Sequence, residues 1–434
     1  MQRHATPAAS TPPARIDHLS VRSDPHALGT WLLQMGFDFW IGHVYNRVAV
    51  VPENHRIAPR TLIASNHQRD VDGPMLGTVM VRRRGLHFRW PLPYFATRED
   101  LFRPGILSRL TVHWPRMIST ALGHISLAWF FPLGHTEPIR RVREFTLGEA
   151  LQALIDAGHG DTDCAFLLNT RGRRELGVDA NTSLRDALAS APSAMLEHYW
   201  GLRRLTRSAR QWLLPAFRAA IDAQLEHFTR RLDCGYSVYF APEGTISMDG
   251  HFGRIRAGFF RLVHMAASPP WILPVALAYD TLGPGRSRVV VRIGASFRAD
   301  VSQDRRAFDE NLRQAIQSLV SVTPSHLLAR FLLHGPPSFT QDEFTDWLAR
   351  VLAALRAADR SLDPLFADGG VDAIANARLR WLEHQCLIVR RGSSFDNACQ
   401  RDTAPGWRTP AGIARYLDNQ LADLSPETDR VPPC

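Results

Sequence analysis

The chain contains no lysine, so all 51 of its Lys-plus-Arg positions are arginine. A Schiff-base lysine and a phosphate-loop lysine are thereby excluded, and any phosphate has to be held by arginine forks, histidine or backbone amides. Cysteine is scarce, with five in 434 residues. Cys164, Cys234, Cys386, Cys399 and Cys434 form no CxxC pair, which argues against a disulfide framework and for a reducing, cytoplasmic compartment. The 18 histidines contain neither HExxH nor a His-x-Glu followed by PCxxC, so no metal site is read and no cofactor is expected. There is no GxSxG elbow for a serine acyl-enzyme, and no cysteine sits in a recognisable nucleophile motif. Long apolar runs are lacking as well. Residues 1–30 carry Pro, Ser and charges throughout and read as a flexible tail rather than a secretory signal. The segment from Met117 to Gly134 is broken by His124 and small polar residues, which suits a buried or interfacial stretch better than a membrane span.

What remains is the profile of a globular protein, 45% hydrophobic and 21% charged, long enough for two or three domain-sized units with a core that needs no metal or disulfide. The net charge is +9 and the pI near 9.9. Such a balance draws either nucleic acid or an anionic membrane surface, while a solvated basic face is the plain alternative. No helix-turn-helix spacing, zinc-finger spacing or aromatic RNA motif supports a nucleic-acid-binding module, so no nucleic acid is expected as partner.

Four short apolar runs read as strand units, the run TLIASNHQRD (61–70) as a short buried strand delivering a polar loop, SVYFAPEGT (237–245) as a strand ending in Pro-Glu-Gly, WILPVALAYD (271–280) and RVVVRIGASF (288–297). Helical stretches separate them, which predicts an α/β fold with a central mixed sheet flanked by helices. Residues 31–300 form the expected main domain. Inside it, residues 142–233 read as a helical insertion. Leu202, Leu205, Ala209, Leu213, Phe217, Ala220 and Leu225 recur at helical spacing among Arg203, Arg204, Arg207, Arg210 and Arg218. This basic amphipathic stretch reads as a core-facing helix with a solvated Arg face or, with Trp200 and Trp212 in its favour, as a membrane-surface helix, and Pro215 is an expected kink or break. Residues 301–434 read as a helical C-terminal extension, with HLLARFLL (326–333) and FTDWLARVLAALRAA (344–358) as its clearest helices and a polar, fraying tail.

Chemistry concentrates at strand ends. In SNHQRDVDGP (65–74) a histidine and two acids follow the first strand directly. His67 can take a proton from a hydroxyl nucleophile if a carboxylate holds its tautomer and stabilises the imidazolium. Helical spacing favours Asp70 for that task, whereas Asp72 requires the loop to bend into a new helical turn. The second element, FAPEGT (240–245), runs from a strand into a tight turn with one exposed carboxylate, Glu243, and a glycine, Gly244, that lets a ligand approach the backbone. Downstream, Arg256 and Gly258 precede a helix whose N-terminal amides suit an anion.

Taken in order, these motifs resemble the glycerolipid acyltransferases, the family of lysophosphatidic acid and, more distantly, glycerol-3-phosphate acyltransferases. The NHx4D motif stands as Asn66-His67 with Asp72, the EGT motif as Glu243-Gly244-Thr245 after Pro242, and the late Val-Pro-Val-type strand as Leu273-Pro274-Val275. FATREDLF (95–102) and SMDGHFGRIRAGFFRLV (247–263) fall where the family has its intervening segments. The resemblance implies O-acyl transfer in phospholipid biosynthesis, with His67 as general base, Asp72 as its orienting partner, and Glu243, Gly244 and Thr245 lining the acceptor site. The donor would be acyl-CoA or acyl carrier protein, and the acceptor most naturally 1-acyl-glycerol-3-phosphate. Glycerol 3-phosphate or another lyso-lipid is the alternative acceptor, and a peripheral place on the inner face of the cell membrane follows. A different class of reading is a non-catalytic basic protein that binds lipid or nucleic acid.

The chain departs from the family pattern in three places, one of them the helical segment 142–233, which puts more positions between His67 and Glu243 than compact family members have and reads as an inserted lid or membrane-contact element. Ile246-Ser247 follows EGT where the family usually has Arg-Ser, leaving Arg256 as the substitute for an acceptor-phosphate ligand. The family's second motif has only the loose counterpart GHTEPIRR (134–141), which makes Arg140 and Arg141 further candidates for the acceptor phosphate.

Overall fold

A computed structural model of the chain describes residues 27–51, 57–80, 83–84, 87–88, 92–102, 117, 131–140, 145–196, 202–399 and 409–424. Residues 1–26 of the expected tail, 118–130 of the apolar segment, Trp90, Trp129, Trp200, Arg141 and residues 425–434 lie outside them. The chain divides into two compact units. The first comprises Met1–Phe95, Leu133–His135 and Leu232–Cys434, and the second Ala96–Pro132 and Thr136–Arg231.

The first unit is organised around a mixed sheet, the α/β architecture expected from the strand runs. Its strands are β1 (Asn46–Val50), β2 (Thr61–Ser65), β5 (Tyr94–Arg98, continuing into the second unit), β7 (Val238–Phe240), β8 (Trp271–Asp280), β9 (Arg288–Ile293) and the short β10 (Phe297–Arg298). A two-residue ribbon of β3 (Arg83–Arg84) and β4 (His87–Phe88) stands apart from it. The spatial order is β1-β9-β8-β2-β7-β5. β5, β7, β2 and β8 are mutually parallel, and β9 turns antiparallel to β8. β2 is buried along its whole length, as a continuous apolar run in the middle of a parallel sheet requires. Pro274 fits inside β8 because it lies where the second neighbour changes from β10 to β9, so its missing N–H costs no ladder bond.

β8 divides its side chains between two cores. Leu273, Val275, Leu277 and Tyr279 join the cluster of Ile63, Met75, Leu76 and Val79, under α1 (Ala27–Val44) and α2 (Asp72–Met80). Ala276 and Ala278 face the other way, into a larger cluster built from residues after 300. That cluster is supplied by α9 (Pro324–His334), α10 (Gln341–Ala357), α11 (Val371–His384) and α12 (Pro410–Leu424), preceded in the chain by α8 (Arg305–Gln317). The described residues after 300 thus share a core with one face of the sheet through Ala276 and Ala278. They also carry an antiparallel sheet of β11 (Ser338–Thr340), β13 (Ser394–Asn397) and β12 (Ile388–Arg391). The expected fraying is corrected over residues 410–424. Ala414, Leu417, Leu421 and Leu424 form a buried stripe at helical spacing against α9.

The second unit contains β6 (Thr136–Ile139) and is otherwise largely helical, with α3 (Leu147–Leu154), α4 (Thr170–Leu176), α5 (Leu184–Ser190) and α6 (Arg207–Asp233), which ends in the first unit. Leu205, Ala209, Leu213 and Phe217 of the predicted stripe are buried among Leu147, Leu151, Leu167 and Leu184. Ala220 is exposed, and so are Arg203, Arg207 and Arg218. Pro215 sits on the exposed side of α6 and the helix runs through it unbroken. The unit starts at Ala96, well before the helical run that the sequence marks from residue 142. Between them lies β6, whose Glu137 pairs with His227 at 2.7 Å and with Arg231 at 3.0 Å.

Candidate active site

The loop after β2 is anchored by a side chain that continues the ladder. Ser65, the last residue of β2, is in register with Val275. The Asn66 carboxamide then takes over, its Nδ2 donating to the Leu277 carbonyl and its Oδ1 accepting the Leu277 N–H, both at 2.8 Å. Gln68 Nε2 donates to the same carbonyl at 3.0 Å. The Asn66 carboxamide is thus satisfied in a buried setting.

His67 lies between these two anchors. Its Nδ1 is 3.0 Å from Asp72 Oδ2. The same oxygen accepts the backbone N–H of Gln68 at 2.6 Å and of Arg69 at 2.9 Å, while Oδ1 accepts the Tyr279 hydroxyl. A carboxylate so surrounded by donors acts as acceptor toward the ring, which places the imidazole proton on Nδ1 and leaves the Nε2 lone pair outward. Nε2 has no partner among the described residues. Asp72 is fully buried and is the first residue of α2, where a negative charge is favoured by the helix dipole. The bend needed to bring a residue five positions on beside His67 is made by a turn, with Asp72 N–H donating to Arg69 carbonyl at 3.1 Å. Asp70 is exposed on the outside of that turn.

The His67 backbone is clamped as well. Its N–H donates to Glu243 Oε1 at 2.9 Å, and its carbonyl accepts the Ser247 N–H at 3.1 Å. The other Glu243 oxygen accepts the Gly253 N–H at 2.7 Å. Glu243 is consequently buried, 3% exposed, where the sequence suggested a carboxylate open to solvent. Burial pushes its carboxyl up to about 7, against the pull of the two amides. Gly244 follows at φ +65°, a left-handed conformation that a β-carbon disfavours. Tyr239, on β7, bonds Ser65 Oγ at 3.0 Å beneath the loop. Burial and the Asp72 charge push the Tyr279 phenol well above its ordinary range, so it stays a donor.

His67, Glu243 and Ser247 open onto a small cleft that is also lined by α12, through Gln420, Asp423 and Leu424. The helix is fastened to the 247–253 loop. Asp423 pairs with His251 Nδ1 at 2.8 Å and accepts the Phe252 N–H at 2.6 Å, and Asn419 donates to the Asp249 carbonyl at 2.8 Å. The chain passes so close at Gly250 that a Cβ there would run into the Tyr416 carbonyl. Sequence reasoning singled out none of Tyr279, Gln420 or Asp423. For Tyr279 a signal existed, since a phenol on the face of β8 that carries Leu273, Val275 and Leu277 needs a buried partner for its hydroxyl.

The structure brings His67, Asp72 and Glu243 together, with Gly244 and Thr245 in the turn that follows. Arg256 caps α7 (Ala257–Met265); it is exposed, and its Nε donates to the Glu243 carbonyl at 3.2 Å. Arg140 belongs to the second unit, where its guanidinium is held by Glu99 and by Glu149 at 2.8 Å. Arg141 lies outside the described residues.

No protein-family model matches the chain, and no curated protein matches it. Among solved structures it is similar to the crystal structure of the 1-acyl-sn-glycerophosphate (LPA) acyltransferase PlsC from Thermotoga maritima. The identity is 12% and the TM-score 0.34, over 69% of this chain and 82% of that one. A likeness of that degree leaves the chemistry of this chain to its own residues.

Proposed function

We propose that the protein is an acyltransferase that moves a fatty acyl group from a thioester to an acceptor hydroxyl. The observation that carries this reading is the His67–Asp72 pair, its Nδ1 fixed at 3.0 Å on a fully buried carboxylate and its ring opening onto a cleft. His67 Nε2 takes the proton of the acceptor hydroxyl as its oxygen attacks the thioester carbonyl. Asp72 stabilises the imidazolium formed. The tetrahedral intermediate collapses, the C–S bond breaks, and the departing thiolate takes the proton back from His67. No acyl-enzyme is involved.

Acyl-CoA or acyl carrier protein serves as donor. The Glu243-Gly244-Thr245 turn sets the acceptor side, with Arg256 at its outer edge. From the motif resemblance, 1-acyl-glycerol-3-phosphate is the first acceptor to be tried, then glycerol 3-phosphate and other lyso-lipids. The protein works at a membrane periphery. In support, α1 exposes Leu32, Met35, Phe39 and Trp40, with Phe39 79% exposed. No helix among the described residues is long and apolar enough to cross a membrane.

The test is thiol release from long-chain acyl-CoA, and from acyl carrier protein, by wild type and His67→Ala across these acceptors. Acceptor-dependent release that falls by about 10²–10⁴-fold in the variant is expected. Equal release by both, or none by either with lipid binding intact, rejects the reading in favour of a non-catalytic lipid binder.

A further inference from the structure

The backbone of Phe252 and Gly253 is where residues after 300 reach the candidate base. Its two N–H groups go to different carboxylates, that of Phe252 to Asp423 Oδ2 at 2.6 Å and that of Gly253 to Glu243 Oε2 at 2.7 Å. Its two carbonyls go to one guanidinium, since Arg313 Nη1 donates to the Phe252 carbonyl at 3.0 Å and Nη2 to the Gly253 carbonyl at 3.1 Å. The same guanidinium lies 4.8 Å from the centroid of the Phe252 ring. Arg313 stands on α8, one turn before the cleft residue Gln317, and Asp423 stands in the last turn of α12. All four backbone polar groups of the dipeptide are therefore held, three of them by side chains from beyond residue 300.

From Gly253 the bonds continue inward, because the second Glu243 oxygen, Oε1, accepts the His67 N–H at 2.9 Å. A β-carbon at residue 253 would stand 2.9 Å from Glu243 Oε2, so an alanine there would displace the carboxyl that the glycine admits. The rigid fork of a guanidinium spans two carbonyls at once, which the point charge of a lysine does not. Bonds to an ionised partner are also roughly twice as strong as neutral ones. Resting on the acyl-transfer reading, we infer that Arg313 and Asp423 are positioning residues of the active site, which fix the Phe252-Gly253 amides, through them the Glu243 carboxyl, and through it the backbone of His67. The role differs from general support of the fold. A shift of Gly253 is passed to Glu243 and on to the base, and misplacing a catalytic group by about 1 Å costs on the order of 10²-fold in rate.

The experiment measures kcat and KM for thiol release from long-chain acyl-CoA or acyl carrier protein, using the full chain and whichever of 1-acyl-glycerol-3-phosphate, glycerol 3-phosphate and the other lyso-lipids the wild type turns over fastest. Arg313→Ala, Arg313→Lys, Asp423→Leu and Asp423→Asn are compared alone and combined with Glu243→Ala. Arg313→Ala and Asp423→Leu are expected to lower kcat by about 10–10²-fold with KM within about twofold of wild type. Arg313→Lys should fall between, and Asp423→Asn, which keeps an acceptor oxygen for the Phe252 N–H, should recover most of the rate lost in Asp423→Leu. In the Glu243→Ala background neither Arg313→Ala nor Asp423→Leu should lower kcat further, because the link to His67 is already cut. If Arg313→Ala fails to fold, as read by circular dichroism, Arg313→Lys and Asp423→Leu decide by the same comparison. Full additivity with Glu243→Ala, or single variants that all keep the wild-type kcat, overturns the inference and leaves acyl transfer standing. Absence of acceptor-dependent release by the wild type removes the acyl-transfer reading and the inference with it.

Discussion

The Tyr279 hydroxyl donates to Asp72 across 207 positions of sequence, on the carboxylate oxygen that His67 does not use. Tyr279 therefore positions the residue that positions the base. In Tyr279→Phe the carboxylate loses one of its donors and concentrates its charge on the oxygen facing the imidazole. The acid limb of the kcat/KM profile should move to higher pH, with kcat down about tenfold and KM little changed. A purely structural phenol would lower stability without moving that limb, and stopped-flow thiol release across pH separates the two.

Asp72 and Asp70 differ in kind despite lying two residues apart. Asp72→Asn turns one acceptor oxygen into a donor among Gln68 N–H, Arg69 N–H and the Tyr279 hydroxyl. A loss of roughly 1–3 kcal/mol in denaturant titration is expected, along with a rate loss on the order of 10³-fold or more. Asp70→Asn, exposed on the turn, should stay within about twofold of wild type. A larger effect at Asp70 would transfer the partner role to it.

The two acids show what a linear sequence conveys. Helical periodicity points to Asp70, and only the motif resemblance points to Asp72, because the turn that delivers Asp72 depends on a 3.1 Å bond to the Arg69 carbonyl. The four strands and the burial of β2 were legible from composition. What was not legible depends on long-range pairing. Nothing local to Asp423 or Gln420 marks them as cleft residues, since α12 reaches the loop by packing on α9. Glu243 looks like a free acid at a turn until two buried amides, at His67 and Gly253, are found to need it.

Glu243 also sets a pH dependence. Its carboxyl stands near 7 when folded, against an ordinary 4.5. The raised value means that the protonated form favours folding. The contribution is complete below pH 4.5, declines as pH rises from about 4.5 to about 7, and is gone above. Relative to Glu243→Gln, the wild type should lose about 3 kcal/mol across that window, at ~1.4 kcal/mol per pH unit. Urea titrations at pH 4.5, 6 and 8 measure it, and a parallel course for both proteins would place the carboxyl at its ordinary value.

Phe39 offers a test of the membrane reading that leaves the cleft alone. Phe39→Glu should weaken cosedimentation with vesicles containing anionic lipid by roughly tenfold, from the ~1.5–3 kcal/mol that burying a phenylalanine contributes. Its melting temperature should stay near that of wild type, because the ring is already 79% exposed. Unchanged cosedimentation would remove α1 from the membrane contact.

The fastening of Asp423 to His251 has a consequence for biosynthesis. A ribosome makes the histidine loop well before α12, so the growing chain carries His67 and Asp72 long before the α12 side of their cleft exists. Contacts spanning 211 and 172 positions, at Asn66–Leu277 and His251–Asp423, defer completion first until residue 277 and then until residue 423 has been made. A chain that stops short of residue 410 leaves the ribosome with its base in an open trough, and quality control by proteolysis would meet it at Gly250, where the closing helix should have been.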